Sequence, residues 1–167
     1  MAGWASKRAY RGAWLVVGLA MLLAGCNFKL REAAALPFAN AWVEAPTASA
    51  LAPGLRNSLQ LQGKLAETMA AAPVQIHIGG EKRTKEILSL SSAGKVREYR
   101  LGYAVTLVAL RANGERVGEP ITVEQVRDYT YDDALVQAAA SNEALLYRAM
   151  EQEALRQSLR RLAYLRF

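Results

Sequence analysis

The sequence predicts an α+β domain in which two helices pack on one face of a four-stranded mixed sheet, in the order β-α-β-β-β-α. Leucines recur at helical spacing in two separate segments, apolar and polar residues alternate between them, and Asn113-Gly114 is a strong hairpin signal. The crossover helix makes the first two strands parallel if they are neighbours. Two hairpins make the remaining strand pairs antiparallel.

The first strand and the first helix are predicted before residue 64. Residues 37–43 have the composition of a strand, which Pro46 ends. A helix over about 49–62, with Gly63 just beyond its C-terminus, follows from three leucines at helical spacing: Leu55, Leu59 and Leu61. The alanine-rich segment 65–72 stays open between a further helical turn and a loop.

The second strand is predicted directly after Pro73. Apolar and polar residues alternate over 74–78, Gly79-Gly80 indicates a bulge, and the strand resumes over 86–90. Residues 91–94, with the sequence Ser-Ser-Ala-Gly, then predict a hairpin turn.

Two further strands and a helix complete the domain. A long strand over 95–111 turns at Asn113-Gly114 into a fourth strand over about 116–129, in which Pro120 marks an edge or a bulge. After a connector, Ser141 or Asn142 is expected to cap the last helix. Its core-facing stripe consists of six apolar residues: Leu145, Leu146, Met150, Leu155, Leu159 and Leu162.

The third strand is apolar or small on both faces. One face carries Tyr99, Leu101, Tyr103, Val105 and Leu107. The other carries Ala104, Thr106, Val108 and Leu110. In an antiparallel sheet with one face exposed to water, apolar and polar residues normally alternate along each strand. Helices on one side leave the second face to a partner, a lipid, a second layer of this chain, or simple exposure to solvent.

The beginning of the chain has the pattern of a bacterial lipoprotein signal. Lys7, Arg8 and Arg11 precede an uncharged apolar run over 13–24, which is too short to span a bilayer core of roughly 30 Å. Leu-Ala-Gly-Cys at 23–26 resembles the lipobox, whose cysteine is acylated, with palmitate among the expected chains, and becomes the new N-terminus. Residues 1–25 are therefore predicted to be a signal peptide.

Removal of 25 residues leaves a single domain of 142 residues, 26–167, on a short lipid-anchored tether. The removed segment carries three basic residues and no acid, so the net charge falls from +6 to +3. This balance, without a basic-aromatic motif, does not indicate nucleic acid binding. The only cysteine, Cys26, is predicted to be acylated, so no disulfide is expected.

The sequence offers little support for catalysis, and we predict no enzyme, no cofactor and no metal site. The only histidine, His77, lies on the strand face opposite Ile76 and Ile78, without a second histidine or a cysteine to join it as a ligand. Asp132 and Asp133 are adjacent and suit a loop before a helix. Nucleotide-binding and serine-hydrolase motifs are absent from the sequence.

Basic residues cluster along the middle strands, interleaved with Glu81, Glu86 and Glu98. They can form a solvated edge with salt bridges, or they can bind phosphate groups through charge and multiple donors. The candidates for phosphate binding are Lys82, Arg83, Lys85, Lys95 and Arg97.

Four short motifs follow one another along the mature chain. Residues 26–31 read Cys-Asn-Phe-Lys-Leu-Arg, and residues 56–63 fit the pattern Arg-Asn-x-Leu-x-Leu-x-Gly. Glu98-Tyr99 lies early in the long strand, and Asn142-Glu143 lies before the last helix. Together with the lipobox, these motifs resemble the LptE family of lipopolysaccharide-assembly lipoproteins over nearly all of the mature chain.

The resemblance implies an outer-membrane lipoprotein on the periplasmic side. It would plug the β-barrel LptD one-to-one, help its assembly and bind lipopolysaccharide at the last transport step. Asn27, in place of the aspartate linked to inner-membrane retention, implies outer-membrane sorting. Some relatives carry basic residues in the hairpin turn and the connector, where this chain has none in 91–94 and no lysine before Asn142. Lys95 and Arg97 follow the turn as possible replacements.

Two other classes of protein remain open at this stage. A lipid carrier or chaperone lipoprotein that works without a barrel would need an apolar cavity inside the fold. A hydrolase on a lipid tether would need a catalytic constellation, which the sequence does not offer.

We predict that Cys26→Ala abolishes acylation and membrane retention, because several acyl chains are needed for stable anchoring and no other cysteine is available. Mass spectrometry of the mature N-terminus measures this directly. Membrane retention of an unmodified chain that starts elsewhere than Cys26 would contradict the lipoprotein prediction.

Overall fold

The computed structural model describes residues 35–132 and 136–167. The elements within these residues are β1 (Ala41–Glu44), α1 (Leu51–Leu61), β2 (Val74–Leu90), β3 (Val96–Arg111), β4 (Ile121–Thr130) and α2 (Val136–Ala163). The strands lie in the order β1-β2-β3-β4, with β1 parallel to β2 and the other pairs antiparallel. The predicted α+β fold, with its element order, is confirmed. The predicted signal peptide, lipobox and residues 27–34 of the tether lie outside the described residues.

Helix α1 matches its prediction closely. Leu55 and Leu59 are fully buried against the sheet, as their helical spacing requires. Gly63 ends the helix with φ of 66°, a conformation that glycine adopts without strain. Residues 65–72 form a loop rather than a further helical turn, because the Ala66 N–H donates to the carbonyl of Ala41 at 2.9 Å.

Strand β1 is shorter than predicted and begins four residues later. Residues 37–39 bend because the Lys64 ammonium donates to the carbonyls of Leu36 and Phe38. The Phe38 ring also packs edge-on against Phe167, with ring centroids 5.2 Å apart. These contacts fix the chain at the end of the sheet from which residue 35 enters.

Strands β3 and β4 are joined by the predicted turn, where Gly114 has φ of 83°. The prediction that β4 begins near Arg116 is wrong. Arg116 forms only an isolated bridge to Leu110, and continuous pairing starts at Ile121, directly after Pro120. Proline lacks the N–H that a paired strand needs, so the strand starts after it.

Helix α2 begins earlier than predicted. It starts at Val136, and Ser141 lies inside it, where its hydroxyl donates to the carbonyl of Gln137 at 3.1 Å instead of capping an end. Leu145 is 60% exposed, so its predicted place in the buried stripe is wrong, and Leu155 and Leu159 are only partly buried. The buried stripe consists of Tyr147, Met150, Ala154, Ser158 and Leu162.

Both helices cover the same face of the sheet. The residues of β3 that point toward them are buried: Leu101, Tyr103, Val105, Leu107 and Ala109. On the outer edge of β4, Arg161 of α2 donates to the carbonyl of Thr122 at 2.5 Å, and Arg127 donates to the carbonyl of Val126 at 2.8 Å.

We predict that Leu59→Ala lowers the free energy of unfolding by about 2–5 kcal/mol, because the side chain is fully buried and its removal leaves a cavity. Leu61→Ala is the matched control on the same helix, since Leu61 is 81% exposed and its truncation should change stability by less than about 0.5 kcal/mol. Urea denaturation measures both, and equal losses would show that the buried face of α1 is assigned wrongly.

Candidate functional site

A bulge in β2 determines which polar side chains lie on which face of the sheet. Gly79 pairs with Thr106 and Lys82 pairs with Ala104, so β2 contains one residue more than β3 over this stretch. Gly80 adopts φ of 60° within the bulge. One extra residue reverses the alternation of side chains beyond it. The bulge predicted from Gly79-Gly80 is therefore confirmed, and the strand continues through it to Leu90.

The reversal divides the basic residues of β2 between the two faces. Arg83 and Lys85 pair with Tyr103 and Leu101 of β3, so they lie on the face that the helices cover. Lys82 pairs with Ala104 and lies on the opposite face. The five basic residues predicted as one phosphate site are therefore not brought together in a single cluster.

Glu81, which the sequence pattern placed only among the acids interleaved with the basic residues, has a structural role that the pattern did not predict. Its Oε1 atom accepts hydrogen bonds from the backbone N–H groups of Ala50 and Leu51, at 3.0 and 3.1 Å, and from the Tyr103 hydroxyl at 2.6 Å. Its Oε2 atom accepts a hydrogen bond from the Ser49 hydroxyl at 2.5 Å. The carboxylate thus satisfies the free donors at the start of α1 from a neighbouring strand, where negative charge is favourable.

The groups that donate to Glu81 have further interactions of their own. The Ser49 hydroxyl accepts a hydrogen bond from the Ala52 N–H at 3.1 Å, so a third donor of the first helical turn is paired. Burial, and secondly the hydrogen bond to Glu81, raise the pKa of Tyr103, which therefore remains a neutral donor. The available sequence signal was an acid directly after a glycine pair, with a serine before the helix.

Arg83 and Lys85 form ion pairs with helix α2. The Arg83 guanidinium contacts the carboxylate of Glu151 and lies over the ring of Tyr147, 5.1 Å from its centroid. Lys85 donates to Glu143 at 2.6 Å, and this hydrogen bond raises the pKa of the lysine. These pairs hold the first half of α2 against β2.

Lys95 and Arg97 lie at the far end of the β2–β3 hairpin. The hairpin turn is closed by a hydrogen bond from the Ser91 N–H to the carbonyl of Lys95 at 2.7 Å. Arg97 is exposed, and its carbonyl accepts a hydrogen bond from the Tyr131 N–H. Exposed aliphatic side chains share this end of the hairpin: Ile87, Leu88 and Leu90.

The sheet face opposite the helices, here called the open face, changes in character along its length. Near β1 it carries half-buried aromatic and aliphatic side chains: Trp42, His77, Val108 and Leu110. The centre is small, with Gly102 and Ala104 beside a hydroxyl contact of 3.1 Å between Thr106 and Thr122. Farther out, Arg100 donates to both oxygens of Asp128 at 2.8 Å. The predicted two-sided character of the third strand is confirmed.

His77 lies on the open face, as its position between two buried isoleucines predicted. Its Nδ1 atom is 3.4 Å from a carboxylate oxygen of Glu44. Within residues 35–132 and 136–167, no group of three or more potential ligands could hold a metal ion. Neither helix in these residues combines the length and the apolar composition needed to cross a bilayer.

The family described as LptE, lipopolysaccharide-assembly, matches residues 33–162. The chain belongs to the LptE family. The family is described by lipopolysaccharide assembly, so membership gives this chain that general role and points to a non-catalytic assembly protein. The family and a lipoprotein neighbour at 30% identity together suggest a lipid-anchored location in the cell envelope.

One solved structure supports this assignment, and two more share the fold. The chain is similar to uncharacterized lipoprotein B from Nitrosomonas europaea, with 30% identity and a TM-score of 0.71, covering 82% of this chain and 90% of that one. It shares the fold of a minor lipoprotein from Acinetobacter baumannii, at 24% identity and a TM-score of 0.63, covering 77% and 93% of the two chains. It likewise shares the fold of rare lipoprotein B from Shewanella oneidensis, at 23% identity and a TM-score of 0.58, covering 74% of this chain and 90% of that one. Among curated proteins, none matches this LptE-family chain.

We predict that Glu81→Ala lowers the free energy of unfolding by about 3 kcal/mol, because it removes a charged acceptor from four partly buried donors. Glu86→Ala is the matched control, since Glu86 lies exposed on the same strand. Denaturant titration of both variants checks the difference. A loss at position 81 no larger than that at position 86 would contradict the role of Glu81.

Proposed function

We propose that this chain is an outer-membrane lipoprotein, cleaved after residue 25 and acylated at Cys26, that works on the periplasmic side of the membrane. In this proposal it plugs an LptD-type β-barrel in a one-to-one complex, helps the barrel assemble and takes part in the insertion of lipopolysaccharide. Family membership supports the general role. The open face is the single observation that supports the barrel partner.

The open face suits the inner wall of a barrel better than it suits water. Its small centre at Gly102 and Ala104 permits close approach, and Val126, on the same face, is 51% exposed. Charged and hydroxyl side chains around that centre match the polar lumen typical of outer-membrane barrels. Burial of its apolar area provides a gross driving force of roughly 25 cal/mol per Å².

Lipopolysaccharide carries phosphate groups, which basic side chains bind through charge-assisted hydrogen bonds. We assign the first phosphate contacts to Lys82 and Arg97, because Arg83 and Lys85 already bind carboxylates of α2. Those two residues would have to exchange Glu151 and Glu143 for a phosphate. Arg97 is the most informative of the five to test, since it is exposed at the end of the hairpin.

The barrel partnership is tested by replacing Ala104, at the centre of the open face, with a large charged residue. Ala104→Arg should leave the fold intact, because the side chain is only half-buried and Glu124 lies opposite it as a partner for the new charge. In a strain depleted of the native chain, this variant should lower the amount of assembled barrel toward the depleted level. Ala149→Arg, an exposed position on α2, is the matched control and should restore the barrel.

The ligand role is separated from the barrel role in the same strain by Arg97→Glu. This variant should support normal barrel levels but reduce the lipopolysaccharide that reaches the cell surface, because it reverses a proposed phosphate contact. The stoichiometry is measured by purifying each variant with the barrel it binds. We expect the variant and the barrel in equal amounts. Depletion with normal barrel levels and normal surface lipopolysaccharide would refute the proposal and favour a lipid carrier that acts without a barrel.

A further inference from the structure

The centre of the open face is concave, and we call this depression the Gly102 hollow. It has a volume of about 220 Å³. Its floor lies on β3, where Gly102 has no side chain and Ala104 has only a methyl group. Longer side chains of the two neighbouring strands surround the floor: Lys82, Thr84 and Glu86 on β2, and Glu124 and Val126 on β4. The open face can therefore accept one inserted side chain at its centre.

Packing against Thr84 keeps the floor of the hollow free of a side chain. Thr84 pairs with Gly102, and a Cβ atom at position 102 would clash with the Thr84 hydroxyl. Threonine is branched at Cβ, so its hydroxyl has few alternative positions. The hollow is therefore built into the two strands and does not depend on the conformation of a flexible side chain.

Charges of opposite sign stand on the two sides of the hollow. Lys82 and Glu124 flank Ala104 from the two neighbouring strands, so their backbones are two strand spacings, or about 10 Å, apart. In the part of the chain that the structure describes, neither of these two exposed side chains has an ion pair or a hydrogen bond. The hollow thus offers a free carboxylate on its β4 side and a free ammonium on its β2 side.

The β4 side of the hollow combines this carboxylate with apolar surface. Val126 is 51% exposed and lies on the same face of β4 as Glu124. An arginine has the matching chemistry, because its aliphatic stem can cover Val126 while its planar guanidinium donates two hydrogen bonds to the carboxylate. The guanidinium is also less strongly hydrated than the ammonium of a lysine, so it is buried at a lower cost. Lys82 repels such a cation toward β4, and Glu86, the other carboxylate of the rim, already interacts with Arg100.

We propose that the Gly102 hollow receives one arginine side chain from the inner wall of the barrel. The guanidinium pairs with Glu124, and the stem covers Val126 and the floor at Gly102. This inference rests on the barrel partnership in the proposed function and names the chemistry of the contact. A charge pair of this kind fixes register and excludes wrong partners more than it adds affinity. The hollow therefore gives the open face one setting against the wall.

The first test measures the barrel that each tagged variant recovers from detergent-solubilised outer membranes, per amount of recovered chain, in a strain depleted of the native chain. Glu124→Arg should recover about tenfold less barrel than the native sequence, because it brings two positive charges together in one hollow. Glu67→Arg is the matched control and should recover the native amount, since Glu67 is exposed in the loop 65–72 and does not line the hollow. Circular dichroism checks that both variants fold.

A second step identifies the arginine by changing each arginine of the barrel's inner wall to glutamate in turn. We expect one of these changes to lower recovery with the native chain and to restore it with Glu124→Arg, since the pair then carries its two charges exchanged. Native recovery with Glu124→Arg, or a loss that no arginine change restores, overturns the hollow and leaves the barrel partnership standing. A native chain that recovers no barrel overturns the proposed function and this inference together.

Discussion

The carboxylate of Glu81 joins the sheet to the first helix. The bulge that places this carboxylate also decides on which face of the sheet the basic side chains of β2 lie. The glycine pair before Glu81 inserts one extra residue into β2, so that Glu81 turns toward the start of α1 and meets four donors. The same extra residue turns Arg83 and Lys85 toward the carboxylates of α2. One bulge therefore directs these three charged side chains of β2 toward the helices.

The bulge separates charged side chains that pair within the fold, on the covered face, from those that a ligand can reach. On the covered face, Arg83 and Lys85 of β2 pair with Glu151 and Glu143 of α2, so these charges link two elements of the fold. On the open face, the centre is small and the ion pair of Arg100 with Asp128 stays within the sheet. The core lies on the other side of the sheet, so contact with this face does not require the core to rearrange.

The sequence was sufficient to predict the element order, because the periodicities of helix and strand differ and the turn residues are distinctive. It failed at the boundaries of elements, where tertiary contacts decide. Ser141 has the character of a helix cap when the local sequence is considered alone, yet α2 begins five residues before it, at Val136. Leu145 has the right spacing for the stripe but falls on the exposed side of the longer helix. The hydrogen bonds of Glu81 join residues about 30 positions apart, which local patterns do not encode.

The two arginines on the outer edge of β4 have a consequence for the protein before it meets any partner. An edge strand with free carbonyl and N–H groups is a template on which another chain can add a strand, and this is how many sheet proteins aggregate. Arg161 and Arg127 occupy the carbonyls of Thr122 and Val126, and each places a charge where an incoming strand would have to lie. A newly folded chain therefore has this edge protected from indiscriminate strand pairing, while the open face beside it stays available.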